Sequence, residues 1–358
     1  MTQWTRTAWA LALGLGLGSV PATTGPVAAQ EQSSPDQTAF EAQMAARFQP
    51  PPPGWQMPRT QWGDPDLRGK WPVDYLGQTP RERPAHFGTR AFLTDAEYSA
   101  AFADAQAQLD RYDEEVEVGV MSMGHWAERG HPLRQTSMVV EPANGRYPPL
   151  TPLGQRLRSA ERTSWNTEVF DRMEDFGIFD RCLTRGMPGS MLPGAYNGGI
   201  QIFQSPGLVA IQLEMIHETR LVYLDGRTPP PPSVQFDLGY SIGHWDGDTL
   251  VIETTNFRPG MAMGPAPNSE QLHITERLTL MNPDQVHYEA WVRDPLVMEG
   301  HYKLDIPWLR DEGYGMFEYA CHEGNVQIRG YITATSPRFA AQREAAWAAQ
   351  QAAGTSND

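Results

Sequence analysis

Residues 272–293 read LHITERLTLMNPDQVHYEAWVR, and this stretch decides the fold. Two runs in which apolar and polar residues alternate flank Asn282-Pro283-Asp284, a turn signal that predicts a β-hairpin. The apolar rows match when Leu278 lies opposite Tyr288, because a slip by one residue would set each apolar row against a polar one. In the same register the other pairs are Leu280 with Val286, Ile274 with Val292, Arg277 with Glu289, His273 with Arg293, and Thr275 with Trp291.

Glu276 lies in the apolar row of this hairpin, opposite the small Ala290. A carboxylate in dry surroundings is costly without a partner, and burial raises its pKa. If this row and the row that contains His217 face one interior, Glu276 and His217 share a cavity and form a catalytic pair for proton transfer. The alternative is a buried pair satisfied by each other or by a nearby Arg or Tyr. The row of His217 consists of Val209, Ile211, Leu213, Met215, His217, Thr219, Leu221 and Tyr223.

The sequence after Gly199 consists of short runs rich in Val, Ile, Leu, Thr and aromatic residues, which predicts a mainly β fold. Asp246-Gly247 indicates a second hairpin, and Pro229–Pro232 is excluded from the sheet. The expected architecture is an antiparallel meander that forms a β-barrel or a strongly curled sheet. Strands are predicted near residues 200–204, 208–216, 219–225, 240–245, 249–257, 272–281, 285–293, 299–306 and 316–322.

The N-terminal residues 1–29 have the order of a signal peptide: Arg6, an apolar run from Ala8 to Val20, and the small residues Val27-Ala28-Ala29. A retained anchor is the alternative. No later segment reaches the length of uninterrupted apolar residues that a membrane span needs. The sequence therefore predicts a periplasmic or secreted protein.

The remaining domain boundaries follow from composition. Residues 30–61 are rich in Gln and Pro and predict a tether, and residues 62–199 predict a loop-rich region that packs on the barrel. One helix is expected there, from Asp95 to about Tyr112, because Thr94 and Glu97 form a capping box. Residues 200–335 are assigned to the barrel and residues 336–358 to a C-terminal helix and tail, with Ser336 as cap and Pro337 in the first turn.

The formal net charge of −15 argues against nucleic acid as a partner, because counterion release needs clusters of Lys and Arg. Cys182 and Cys321 are the two cysteines of the chain. They predict one disulfide between them, because disulfides form and persist in an exported protein, and two inert buried thiols are the alternative.

The sequence argues against three other kinds of site: a serine nucleophile, a histidine metal cluster and a phosphate-binding loop. Gly239-Tyr240-Ser241-Ile242-Gly243 matches the nucleophile elbow, but a hairpin follows Ser241 where a helix is required. His273 and His287 fall at opposite ends of the first hairpin, about 20 Å apart at ~3.3 Å per residue, so a histidine metal cluster is not expected. There is no glycine-rich phosphate loop between a strand and a helix, and no cofactor is predicted.

Several segments resemble those of a large family of secreted proteins of environmental bacteria. The resemblance implies one evolutionary unit and brings no activity or catalytic residue with it. It places both cysteines, His217, Arg220 and Glu276 inside family motifs. The matching segments are 180–189, 214–220, 224–227, 243–254, 272–277 and 318–325, with weaker ones at 65–69 and 136–140.

The leading hypothesis is an exported protein that binds an apolar or aromatic small molecule in a barrel pocket. It extends to cofactor-free acid/base catalysis of the isomerase, lyase or hydrolase type, with Glu276 and His217 as the reacting groups. The rival is a non-catalytic binding or envelope-scaffold protein whose buried charges stabilise the fold. The predicted ligand contacts are Arg220, Arg277, Trp245, Tyr223 and Glu253.

Overall fold

The computed structural model describes residues 35–120, 122, 130, 132–194 and 196–354. The predicted signal peptide and the start of the predicted tether, residues 1–34, lie outside the described residues. The chain divides into two compact units, residues 1–41 and residues 42–358. Of the first unit the structure describes the beginning of helix α1, Pro35–Ala45.

All ten described strands form one curled sheet, a half-barrel, in the second unit. The sheet order is β1-β3-β4-β5-β6-β7-β8-β9-β10-β2. The predicted mainly β fold with a strongly curled sheet is therefore confirmed. The strands are β1 Gly69–Lys70, β2 Val139–Glu141, β3 Ile200–Ser205, β4 Leu208–Leu213, β5 Thr219–Tyr223, β6 Tyr240–Asp246, β7 Thr249–Thr255, β8 His273–Asn282, β9 Gln285–Arg293 and β10 His301–Leu309.

The hairpin of β8 and β9 has the predicted register. Leu278 pairs with Tyr288, Glu276 pairs with Ala290, and the other predicted pairs are also present. The apolar row is buried while its neighbours are half-buried or exposed, as expected for a sheet with one covered face. The hairpin at Asp246-Gly247 joins β6 and β7 as predicted.

The sheet differs from the predicted antiparallel meander at one pair of strands. β5 and β6 run parallel, with Val222 opposite Ser241. The connection between them contains Pro229–Pro232, which lies outside the strands, and it leads from the end of β5 to the start of β6. Parallel neighbours need such a crossover, because a tight turn can only join antiparallel strands.

The predicted strand at 316–322 is wrong, because residues 310–320 form no strand and Cys321–Gly324 forms the short helix α4. The capping box of Thr94 and Glu97 is confirmed at the start of a long helix. Ser336 caps the C-terminal helical segment, with Pro337 in its first turn. The other helices are α2 Asp95–Glu117, α3 Pro152–Ala160, α5 Gln327–Thr335 and α6 Ala340–Gly354.

The core lies between the inner face of the sheet and the loop-rich residues 62–199. Trp71, Met138 and Met187 from the loops pack in one apolar cluster with strand residues such as Ile252 and Tyr288. All five are at most 1% exposed, so loops fill the concave side of the sheet.

Residues 42–61 differ from the predicted tether. Trp55 and Met57 pack against the core cluster, and Arg47 forms an ion pair with Asp305. Residues 35–45 are helical rather than extended. The Gln- and Pro-rich composition did not reveal the few apolar and charged anchors that fix this segment to the sheet.

Cys182 and Cys321 form a disulfide with a Cα–Cα distance of 5.8 Å. The bond joins the loop before β3 to helix α4, 139 residues further along the chain. Of the two predicted alternatives, the disulfide is confirmed.

Candidate functional site

Glu276 lies on the inner face of β8 and is fully buried, as predicted, but its partner is Arg220 on β5. Arg220 Nη1 and Nη2 donate to the two carboxylate oxygens at 3.1 and 2.7 Å. Tyr288 donates its hydroxyl to Glu276 at 2.8 Å. Arg220 also donates to Ser241 and Thr254, at 3.2 and 3.1 Å.

This network compensates two buried charges. Burial lowers the pKa of Arg220, but the charge of Glu276 and its hydrogen bonds outweigh burial and raise the pKa overall. Burial and the adjacent carboxylate raise the pKa of Tyr288 well above its usual value. Arg220 is 2% exposed and Glu276 0%, so neither group reaches a solvent-borne ligand. The network has the properties of a structural ion pair.

His217 is exposed and does not join Glu276, so the predicted catalytic pair is not formed. β4 ends at Leu213, and the chain turns at Ile216 and His217, both with positive φ (62° and 46°). His217 Nδ1 lies 3.0 Å from the backbone oxygen of Tyr319, on the outside of this turn. The prediction extended the alternation of a strand through a turn, where alternation does not hold.

The turn also reverses the predicted faces of β5. Arg220 and Val222 are buried while Thr219 and Leu221 are exposed, so the inner row is shifted by one residue. Arg220 pairs with Ile211, a core residue of β4.

The five predicted ligand contacts lie on two different faces of the sheet. Arg220 and Trp245 point to the inner face, where Trp245 packs against the core cluster. Tyr223, Glu253 and Arg277 point outward, and each has its own partner: Arg227 stacks on the Tyr223 ring at 3.8 Å, Glu253 binds His273, and Arg277 binds Asp246 at 3.0 Å. The predicted set therefore does not form one pocket.

A second polar cluster lies on the outer face of β9 and β10. His287 Nε2 lies 2.8 Å from an oxygen of Asp305, and Lys303 Nζ lies 2.7 Å from Glu289. Ligand atoms of His287, Glu289 and Asp305 all lie within 4.8 Å of one another, close enough to hold a metal ion. Arg47 binds Asp305 at 2.5 Å, so two cations already neutralise the two carboxylates. This cluster therefore fits an internal ion-pair network better than a metal centre.

Asp305 is the centre of that network. Burial raises its pKa, but the hydrogen bond from His287 and the charge of Arg47 outweigh burial and lower the pKa to about 2. Asp305 is 3% exposed. Its ionised form therefore binds Arg47, and the backbone of Gln49 bonds with Asn282 and Gln285, so residues 42–49 are attached to the sheet.

A groove of 590 Å³ lies beside this attached segment. Helix α2 contributes its first turn to the walls. The start of β9 and the end of β10, near the turn between β8 and β9, contribute as well, and so do residues 43–47 and 132–134. The apolar lining residues are Ala46, Tyr75, Phe92, Leu93, Tyr98, Pro132, Leu133, Pro307 and Leu309, and the polar ones are Gln43, Arg47, Thr94, Asp95, Arg134 and Gln285.

Several polar groups of the groove already have partners. Arg134 donates to Asp95 at 2.5 Å and lies 4.5 Å from the centre of the Tyr98 ring. Tyr75 donates its hydroxyl to Pro307 O at 2.5 Å, and burial raises its pKa. The sequence predicted the capping box at Thr94, which starts the helix that forms one wall of the groove. No local signal in the sequence indicates that residues 43–47 and 132–134 lie beside this wall.

No protein-family model matches this chain, and neither a curated protein nor a solved structure matches it. The resemblance to secreted bacterial proteins therefore stays a prediction. Among the helices that the structure describes, none has both the length and the hydrophobicity that a membrane span requires.

Proposed function

We propose that this protein binds an apolar or aromatic small molecule, and that the groove beside α2 is the binding site. The volume of the groove carries this proposal. At 590 Å³ it lies within the range of about 300–1,000 Å³ that is typical of small-molecule sites. Its lining combines three aromatic side chains with several aliphatic ones and a few polar groups, the usual composition of such sites.

The polar groups favour an uncharged ligand. Arg134 is compensated by Asp95 and Arg47 by Asp305, so the walls offer no unbalanced charge. A neutral ring system buries apolar area against Phe92 and Leu133 without breaking either ion pair. Each Å² of apolar surface removed from water contributes about 25 cal/mol.

Catalysis by Glu276 and His217 is not part of the proposal, because the first is sealed by Arg220 and the second is exposed elsewhere. The buried ion pair supports the structural role that the scaffold hypothesis assigned to Glu276. The disulfide supports export to an oxidising compartment, which we retain as part of the proposal together with the predicted signal peptide.

The test is binding of N-phenyl-1-naphthylamine, a neutral aromatic fluorophore, to the purified chain. Leu133→Trp fills the groove, and we expect it to weaken binding at least tenfold. Leu183→Trp makes the same change at a 41% exposed leucine outside the groove and serves as the matched control. Equal affinity in both variants and the wild type would exclude the groove as the site.

A further inference from the structure

Two arginines converge on one backbone oxygen in the loops that cover the sheet. Arg185 Nη2 donates to Pro193 O at 2.9 Å, and Arg81 Nη2 lies 3.5 Å from the same oxygen. Arg185 is 6% exposed and Arg81 is half-buried. Like charges this close repel each other more strongly in a buried site than in water.

Neither guanidinium has an acidic partner among the residues that the structure describes. Arg185 also donates to Leu192 O at 3.1 Å, and Arg81 contacts Met263 Sδ at 3.8 Å. Within the described part of the chain, no carboxylate oxygen lies within 4.0 Å of either group. With 43 acidic against 28 basic residues in the chain, a pair of arginines without a carboxylate calls for an explanation.

The electrostatics of Arg185 agree with this geometry. Burial and the charge of Arg81 lower the pKa of Arg185 to about 10. The charge of Asp74, which lies beyond ion-pair distance, raises the pKa of Arg185, but burial and Arg81 outweigh this effect. An anion bound to the two arginines would offset both unfavourable effects.

Three hydroxyl groups lie near the pair, on Tyr147, Tyr302 and Ser190. The rings of Tyr147 and Tyr302 meet edge to face at 4.8 Å, and both feel the charge of Arg81. Neither hydroxyl forms a hydrogen bond with any residue that the structure describes. Ser190 Oγ is buried and has no hydrogen-bond partner among the described residues. It borders a cavity of about 10 Å³ together with Arg185 and Glu214.

We propose that Arg81 and Arg185 bind the anionic group of a small molecule, a carboxylate or a phosphate, with Tyr147 and Tyr302 as further donors. Guanidinium groups bind both anions through paired N–H bonds, and such charge-assisted bonds are roughly twice as strong as neutral ones. The group enters on the half-exposed side of Arg81, because the adjoining cavities are only of water size. None of these residues lines the groove, so this site is independent of the proposed function.

The test is thermal unfolding of the full chain during titration with sodium phosphate or sodium acetate, with ionic strength held constant by sodium chloride. We expect a saturable rise in Tm, and the anion that saturates at lower concentration distinguishes phosphate from carboxylate. Arg81→Gln should raise the apparent Kd at least tenfold. Arg146→Gln, at an exposed arginine beside Tyr147, is the matched control and should behave like the wild type.

A second measurement separates a binding role from a structural one. Without added anion, Arg81→Gln should unfold at the same Tm as the wild type or above it, because repulsion from Arg185 is relieved. A lower Tm, or the same anion response in all three proteins, would overturn the proposal. Either failure leaves binding of the neutral fluorophore in the groove unaffected.

Discussion

Arg220 explains why a carboxylate is tolerated on the inner face of the sheet. The alternating pattern of β8 was sufficient to predict that Glu276 is buried, because one covered face fixes the register. Its partner was not predictable in the same way. Ile216 and His217 adopt left-handed conformations that shift the faces of β5, and a β-branched residue such as Ile216 gives no local signal for this conformation.

Glu276→Gln should lower the free energy of unfolding by about 3–5 kcal/mol, because it leaves Arg220 buried without a counter-charge. Urea unfolding measures this difference. Arg277→Gln changes the neighbouring residue on the outer face and should cost at most about 1 kcal/mol. Adding Arg220→Met to Glu276→Gln should restore stability, and a further loss in the double variant would contradict this interpretation.

Asp305 should make stability depend on pH in the acid range. Its folded pKa of about 2 lies below the ordinary 3.8, so the ionised form stabilises the folded state above pH 4. This contribution, about 2 kcal/mol, is lost as the pH falls from about 4 to 2. Urea unfolding at pH 5 and pH 2.5 measures this loss of unfolding free energy. The component due to Asp305 should be present in the wild type and in the exposed control Asp284→Asn. In Asp305→Asn the component should be missing.

At the scale of elements, the sequence predicted the features that residues close together in the chain determine. The hairpins and the start of α2 follow from turn and capping residues, and their observed positions agree with the sequence. The parallel pairing of β5 with β6 and the groove depend on contacts between distant segments. The two segments that form such a contact are far apart in the sequence. The residue pattern of one segment therefore does not indicate which other segment it contacts.

Thr94→Ala should destabilise the first turn of α2, which forms one wall of the groove. Thr94 accepts a hydrogen bond from the Glu97 amide, and Glu97 accepts one from the Thr94 amide. Loss of such a cap costs about 1 kcal/mol. Hydrogen exchange of the amides at 95–98 should accelerate, whereas Ser99→Ala, at an exposed position further along α2, should leave their exchange unchanged.

At the scale of the whole molecule, one covalent bond limits the freedom of the unfolded chain. Cys182 and Cys321 are separated by 139 residues, so the disulfide closes a long loop. Chain entropy for a loop of this length corresponds to about 4–5 kcal/mol of stability. The double variant Cys182→Ala and Cys321→Ala should therefore have a markedly lower Tm than the wild type. Equal Tm values would mean that loop closure contributes little to stability.

The outermost strands, β1 and β2, are two and three residues long, and both come from the loop-rich region. An open sheet with long free edges can add strands from neighbouring molecules, which is a common route to aggregation. Short edge strands leave few unpaired amides for such growth. The segment that covers the concave side thus also protects the sheet margins, and proteolytic removal of that segment would leave β3 and β10 free to pair between chains.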